Sequence, residues 1–200
     1  MKSALKVGVS GVRGIVGESF TPQIAAAFAQ AFGTLVRQGA VVVGRDTRPS
    51  GLMIEHAVTA GLQSVGCKPI LVGVVPTPTV LMATKELGAQ GGVAITASHN
   101  PSPWNALKFV GRTGLFLDAH HAEELADIYH QHDFPMVAED EIQSEDTYRH
   151  AMADHIKKVL AYVDQDKIAK RKFRVAIDCC NGAGALHVVD FLQSELGCEV

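Results

Sequence analysis

The chain has 200 residues, of which 47% are apolar and 20% charged, enough to bury a core and far from the composition of a disordered chain. Eighteen Lys and Arg against 21 Asp and Glu leave a net charge of −3, without the basic excess of a protein that coats nucleic acid. Its length allows one or two domains.

The first predicted helix opens at Thr21 with Pro22 in its first turn and runs to about Gly39, with Ile24, Phe28, Ala31 and Leu35 on its apolar face. Ala40 to Val43 is a continuous apolar run, the pattern of a strand buried on both faces, and it empties into Gly44-Arg-Asp-Thr-Arg48. The cycle repeats as a helix over 51–65, a strand over 69–74, a helix over 77–87 and a strand over 91–96. This alternation predicts an α/β fold, a mainly parallel mixed sheet covered by helices. A hairpin is expected from 106–110 to 115–117, followed by a helix from Asp118 to about His132. The acidic, aperiodic stretch from Asp133 to Asp146 reads as a linker.

Two domains are therefore expected, 1–140 and 141–200. The second would begin with a long amphipathic helix from about Ser144, striped by Tyr148, Met152, Ile156, Val159 and Val163. A strand over 173–178, the turn Asn181-Gly-Ala-Gly184 and a helix to about Leu196 would follow. One strand and one crossover helix cannot bury their own apolar faces, so this unit reads as the start of a larger α/β domain and the chain as part of a longer protein.

Four cysteines without a CxxC pair point to a reducing compartment. The apolar stretch 69–83 is broken by Pro76 and Pro78 and is shorter than the roughly 20 residues of a spanning helix. A cytoplasmic protein without membrane or nucleic-acid partners is expected. His120-His121 and His130-x-His132 have no matching Cys or carboxylate set and read as solvated side chains.

The chemistry-bearing segment is Ile95-Thr-Ala-Ser98-His99-Asn100-Pro101, where a buried strand ends in small and polar residues. Such ends are where α/β sheets bind ligands. Ser98 has a histidine beside it and Lys108 ten residues on; a hydroxyl capping its own turn is the plainer reading of that pair. The hydrolase elbow G-x-S-x-G is absent around Ser98, no Walker A motif occurs, and Asn181-Gly-Ala-Gly lacks the third glycine of a dinucleotide fingerprint. Gly8-Val-Ser10-Gly-Val-Arg13-Gly14 reads as a glycine-rich loop that lets amides and a guanidinium approach phosphate. Arg45 and Arg48 flank Asp46 in a second such loop, which an internal ion pair explains equally well. Arg13, Arg45, Arg48, His99 and Lys108 together would suit a phosphorylated serine carrying about −1.5 to −2 charge.

In this order, Ser10-Gly-Val-Arg-Gly, Gly44-Arg-Asp-Thr-Arg-Pro-Ser-Gly, Thr96-Ala-Ser-His-Asn-Pro, Asn105-Ala-Leu-Lys-Phe and Asp178-Cys-Cys-Asn-Gly-Ala-Gly resemble the signature set of the α-D-phosphohexomutases. The resemblance covers essentially the whole chain. It implies the first domain and the opening of the second of a four-domain enzyme. Such an enzyme moves phosphate between the 1- and 6-positions of a hexose through a phosphoserine and a hexose 1,6-bisphosphate. By motif, Ser98 would carry the phosphate, His99 lie beside it, and Lys108 and Arg13 serve proton transfer and charge stabilisation. Ser10, Arg45, Arg48 and Asn100 would bind substrate or phosphate.

The family's Mg2+ would take one ligand from the Ser98 phosphate and the rest from an aspartate loop that this sequence lacks, so these 200 residues alone are expected to be inactive. Asn105-Ala-Leu-Lys108 departs from the family's usual Asn-Gly-Ile-Lys, yet Lys108 keeps its spacing from Ser98. Trp104-Asn-Ala-Leu-Lys-Phe resembles phosphoglucosamine mutases, while the hexose and the oligomeric state stay open. Two other classes compete. A noncatalytic phosphosugar-binding domain would not need Ser98, and a phosphoserine-intermediate phosphatase would need metal ligands within these loops.

Overall fold

The computed structural model describes residues 5–9 and 11–200. Its first two strands, β1 (Lys6–Gly8) and β2 (Gly11–Ile15), form an antiparallel hairpin where the glycine pattern had suggested an open loop. Next come α1 (Pro22–Leu35), β3 (Gly39–Arg45), α2 (Gly51–Ser64), β4 (Cys67–Val74), α3 (Thr77–Glu86), β5 (Gly91–Ile95), β6 (Trp104–Gly111) and α4 (Ala119–Gln131). The sheet order is β1-β2-β6-β5-β3-β4 with a seventh strand, β7 (Asp146–Thr147), at the far edge. The β5–β3, β3–β4 and β4–β7 ladders are parallel, while β1–β2, β2–β6 and β6–β5 are antiparallel, so the sheet is evenly mixed.

Thr21 caps α1, its hydroxyl accepting from the Ile24 N–H, with Pro22 in the first turn. The helix ends at Leu35, short of the expected Gly39, because Arg37, Gln38 and Gly39 all adopt positive φ (56°, 66° and 96°). In β3, alternate side chains serve two cores: Val41 and Val43 pack with Phe28, Phe32, Ile54 and Leu62, whereas Val42 packs with Val72, Val80 and Ala94 on the other face. Burial on both faces is what made this strand legible as an unbroken apolar run.

The segment after α4 departs most from expectation. Val137 N–H donates to Ser64 O, and Gln63 Nε2 donates to Gln143 O, so the linker straps the C-terminal end of α2. The helix expected from Ser144 is replaced at its start by β7, which pairs with Ile70 and Leu71, and the Tyr148 N–H extends that pairing to Leu71 O. The exposed edge of β4 captured residues that a helix would otherwise have used. Two helices follow, α5 (Ala151–Leu160) and α6 (Gln165–Arg171). Tyr148, Ala151 and Met152 join the second core, while Val159 and Val163 of the predicted stripe remain exposed.

The strand expected over 173–178 is reduced to one bridge, Arg174 to Glu199, and the following helix to short turns over 183–195. Phe173, Ile177 and Leu186 are exposed, which is the expected fate of a βα unit without neighbours to cover it.

α5 docks through His155, whose Nδ1 lies 2.7 Å from the Thr79 hydroxyl on α3. Burial holds this imidazole below its ordinary value of 6.5. The unfolded chain therefore binds the proton first as pH falls, and stability is lost from about 6.5 downward until the lower folded value is passed. The unfolding midpoint is expected to drop between pH 7.5 and 5.5, and His155→Gln to drop less; equal slopes in the two proteins would refute this.

Candidate active site

β5 ends at Ile95, and the chain turns through Thr96 to Pro101 before re-entering the sheet as β6. Ser98 and His99 are exposed, and Ser98 sits at φ 56°, a left-handed conformation that serine rarely adopts. Such a residue costs on the order of 1–3 kcal/mol and persists only where its surroundings hold it. The Ser98 N–H donates to Thr96 Oγ1 at 3.1 Å, and the Thr96 hydroxyl donates in turn to Asp46 Oδ2 at 2.6 Å. The Ser98 hydroxyl faces His99 Nδ1 at 3.4 Å, a loose contact that leaves the oxygen accessible.

Registry brings the cations to this turn. Arg13 pairs with Ala106, Leu107 pairs with Ile95, and the Thr96 N–H donates to Ala106 O, so Arg13, Thr96, Ala106 and Lys108 share one face. They line a cleft of about 170 Å3 together with Ser98, His99 and Asn100. Strands β2 and β6 therefore deliver Arg13 and Lys108 to the same space as the serine, although positions 13 and 98 lie far apart in the sequence. The Lys108 ammonium also lies 5.8 Å from the centre of the Phe116 ring, which supports its stem beside the cleft.

The other expected phosphate ligands divide. Asn100 lines the cleft, but its amide donates to Ala97 O at 2.7 Å and so shapes the turn. Arg45 pairs with the buried Glu55 at 3.4 Å, away from the cleft-lining set. Arg48 takes the ion pair that the sequence left as an equal alternative: its guanidinium donates to Asp46 and to the carbonyls of Ser98, Asn100, Pro101 and Trp104. Ser10 lies outside the described residues. Sequence reasoning quoted two supports within its motifs without giving either a role. Thr96, two residues before the serine, links its N–H to Asp46, and Asn105, buried at the start of β6, anchors the neighbouring loop through Ser50 Oγ at 2.9 Å.

Among the described residues no group of three or more His, Cys, Asp or Glu could hold a metal ion. Asp46, the carboxylate that meets the serine turn, is already committed to Arg48 and Thr96. These residues do not by themselves fit Mg2+. His121 turns its Nδ1 to the Asp118 cap of α4 at 2.7 Å, and this contact, after the His121 backbone N–H, lowers the Asp118 carboxyl below its usual range. Cys67 is sealed in the core, where burial pushes its thiol up to about 11 and leaves it unreactive. The loop after Asp178 reaches the site's periphery, where Thr47 Oγ1 donates to Asn181 O at 2.7 Å.

Fold and site thus define a layered α/β unit that presents one strained, exposed serine to a cationic cleft at the end of its central strands. Residues 4–136 match the family model Phosphoglucomutase/phosphomannomutase, alpha/beta/alpha domain I, and the chain belongs to that family. It is 40% identical over 201 residues to a phosphoglucomutase/phosphomannomutase of Thermococcus kodakarensis, covering 96% of this chain and 43% of that protein. A phosphoglucosamine/phosphogalactosamine mutase of Sulfurisphaera tokodaii is 35% identical with the same coverage of 96% and 43%. A crystal structure of a phosphoglucomutase/phosphomannomutase family protein from Burkholderia thailandensis superposes with a TM-score of 0.79 at 26% identity, over 97% of this chain and 43% of that one. The chain spans about 43% of the length of these relatives.

Proposed function

We propose that this chain is the phosphoserine-bearing part of a phosphohexomutase that interconverts hexose 1-phosphates and hexose 6-phosphates. The observation that carries the reading is Ser98, exposed and held at φ 56° in a cleft shared with Arg13, His99 and Lys108. A domain that only bound phosphosugars would gain nothing from a strained nucleophile.

In the proposed cycle the phosphoryl group on Ser98 Oγ passes to the free hydroxyl of a hexose monophosphate. The Ser98–phosphorus bond breaks, a new sugar–phosphorus bond forms, and the hydroxyl proton leaves to a base in the cleft. Lys108 and His99 are the groups placed to take it. The resulting hexose 1,6-bisphosphate then returns its other phosphoryl group to Ser98, and the freed sugar oxygen takes a proton back. Arg13 offsets charge on the transferred oxygens, joined by Lys108 once it holds the proton, and this is most of what phosphoryl transfer asks of a protein. Mg2+ would take one ligand from the Ser98 phosphoryl group and its remaining ligands from outside this chain. The domain that carries the serine takes in β7 and the start of α5, past the boundary expected at 140, the residues after it open the next, and the 200 residues alone do not turn over substrate. No helix among the described residues is long and apolar enough to cross a membrane, and the four free cysteines suit the cytoplasm.

The test is to incubate a full-length form with hexose 1,6-bisphosphate and map the product by intact mass and peptide fragmentation. One phosphoryl group on Ser98 is the expected result. Phosphate on another residue, or none, would overturn the reading.

A further inference from the structure

Arg48 spends every donor it has. Nη2 donates to Ser98 O at 2.9 Å and to Asn100 O at 2.8 Å, and Nη1 to Pro101 O at 2.9 Å and to Trp104 O at 3.0 Å. Nε donates to Asp46 Oδ2 at 3.1 Å. A guanidinium carries five N–H bonds, so none is left for a phosphate. The side chain is only 11% exposed, and Asp46 Oδ1 accepts the Arg48 backbone N–H at 3.0 Å, which fixes the fork from behind.

The same carboxylate closes the other flank of the serine. Asp46 Oδ2 accepts the Thr96 hydroxyl, and Thr96 Oγ1 accepts the Ser98 N–H, so Asp46 and Arg48 together grip both the N–H and the C=O of residue 98. A left-handed serine needs restraint on both sides of its α-carbon, and these contacts supply it. Four carbonyl oxygens turned onto one guanidinium also settle where their negative ends point.

We propose that Arg48 is a positioning residue for phosphoryl transfer: it fixes the 96–101 turn so that Ser98 Oγ meets its reacting partner, and it does not touch the transferred phosphate. This rests on Ser98 being the phosphoryl carrier. Lysine cannot replace it, because a point ammonium with three donors cannot span four carbonyls and a carboxylate.

The experiment compares Arg48→Lys, Arg48→Ala and Thr96→Val in the full-length protein by steady-state kinetics and by amide hydrogen exchange over 96–101. A misplacement of about 1 Å costs on the order of 100-fold, so kcat is expected to fall ~100-fold in both Arg48 variants while KM for the hexose phosphate moves less than ~3-fold. Exchange over 96–101 should accelerate about tenfold or more, with the α1 and α2 peptides unchanged. Thr96→Val, which removes one restraint and keeps the shape of the side chain, should lose about tenfold in kcat. Wild-type kcat in Arg48→Lys, or a loss confined to KM that lysine restores, would overturn the proposal and make Arg48 a phosphate ligand. If the unaltered protein never takes phosphate on Ser98, the mutase reading falls instead, and the exchange data still decide whether Arg48 holds the turn.

Discussion

Ser98→Ala in a full-length protein is expected to lose turnover by on the order of 10^4-fold, with no phosphoryl group captured from hexose 1,6-bisphosphate, because removal of a nucleophile that acts as part of a unit removes nearly all of that unit's contribution. Stability should move by less than about 0.5 kcal/mol, since the hydroxyl is exposed and its contact with His99 is long at 3.4 Å. The backbone offers a sharper control. At φ 56° a side chain of any kind is strained, so Ser98→Gly should be as inactive as the alanine variant and more stable than the parent by about 1 kcal/mol. A protein that gains stability when its serine is deleted was paying conformational strain to present that hydroxyl. Turnover surviving in either variant would show that another group carries the phosphate.

The central layers were legible because their signals are local. The 40–43 run fixes a strand buried on both faces, Thr21-Pro22 starts α1, and small polar residues after Ile95 mark a strand end with room for a ligand. β1 and β2 were not legible: Gly8, Gly11 and Gly14 suit a loop as well as a hairpin, and only pairing with β6 decides between them. Nor was β7, two residues long and created by the open edge of β4. In the site, Ser98, Arg13 and Lys108 could be named from motifs, but their shared face is a consequence of registry across three strands. For Arg48 the sequence left phosphate binding and an ion pair with Asp46 equally open, for a related reason. Its partners are mostly backbone carbonyls, which every sequence contains and none advertises. The failed strand after Lys172 shows the converse: β-forming residues stay irregular when the described chain offers them little beyond the bridge to Glu199.

Gly11→Ala is expected to be the most damaging single-methyl change near the cleft. Gly11 has φ +102°, and a Cβ there would lie 2.0 Å from the Leu107 carbonyl oxygen and 3.1 Å from Lys108 Cα, both backbone atoms of β6. An ordinary carbon–oxygen contact is about 3.3 Å or longer, so β2 would have to back away from β6 by more than an ångström. A strand paired on both sides cannot move that far without releasing ladder hydrogen bonds worth roughly 1 kcal/mol each. With the left-handed strain added, a loss of about 3 kcal/mol or more follows, or roughly 10 °C in Tm for a chain of this size. The chemistry should suffer further, because the β2–β6 registry is what places Arg13 and Lys108 on one face. Gly17→Ala separates the two causes: Gly17 has φ +83° with nothing within 4 Å of the added carbon, so it carries strain without the clash and should lose only about 1 kcal/mol. Thermal unfolding of the two variants side by side decides the matter. Equal losses would mean that backbone conformation alone, and not the approach of β6, dictates glycine at position 11.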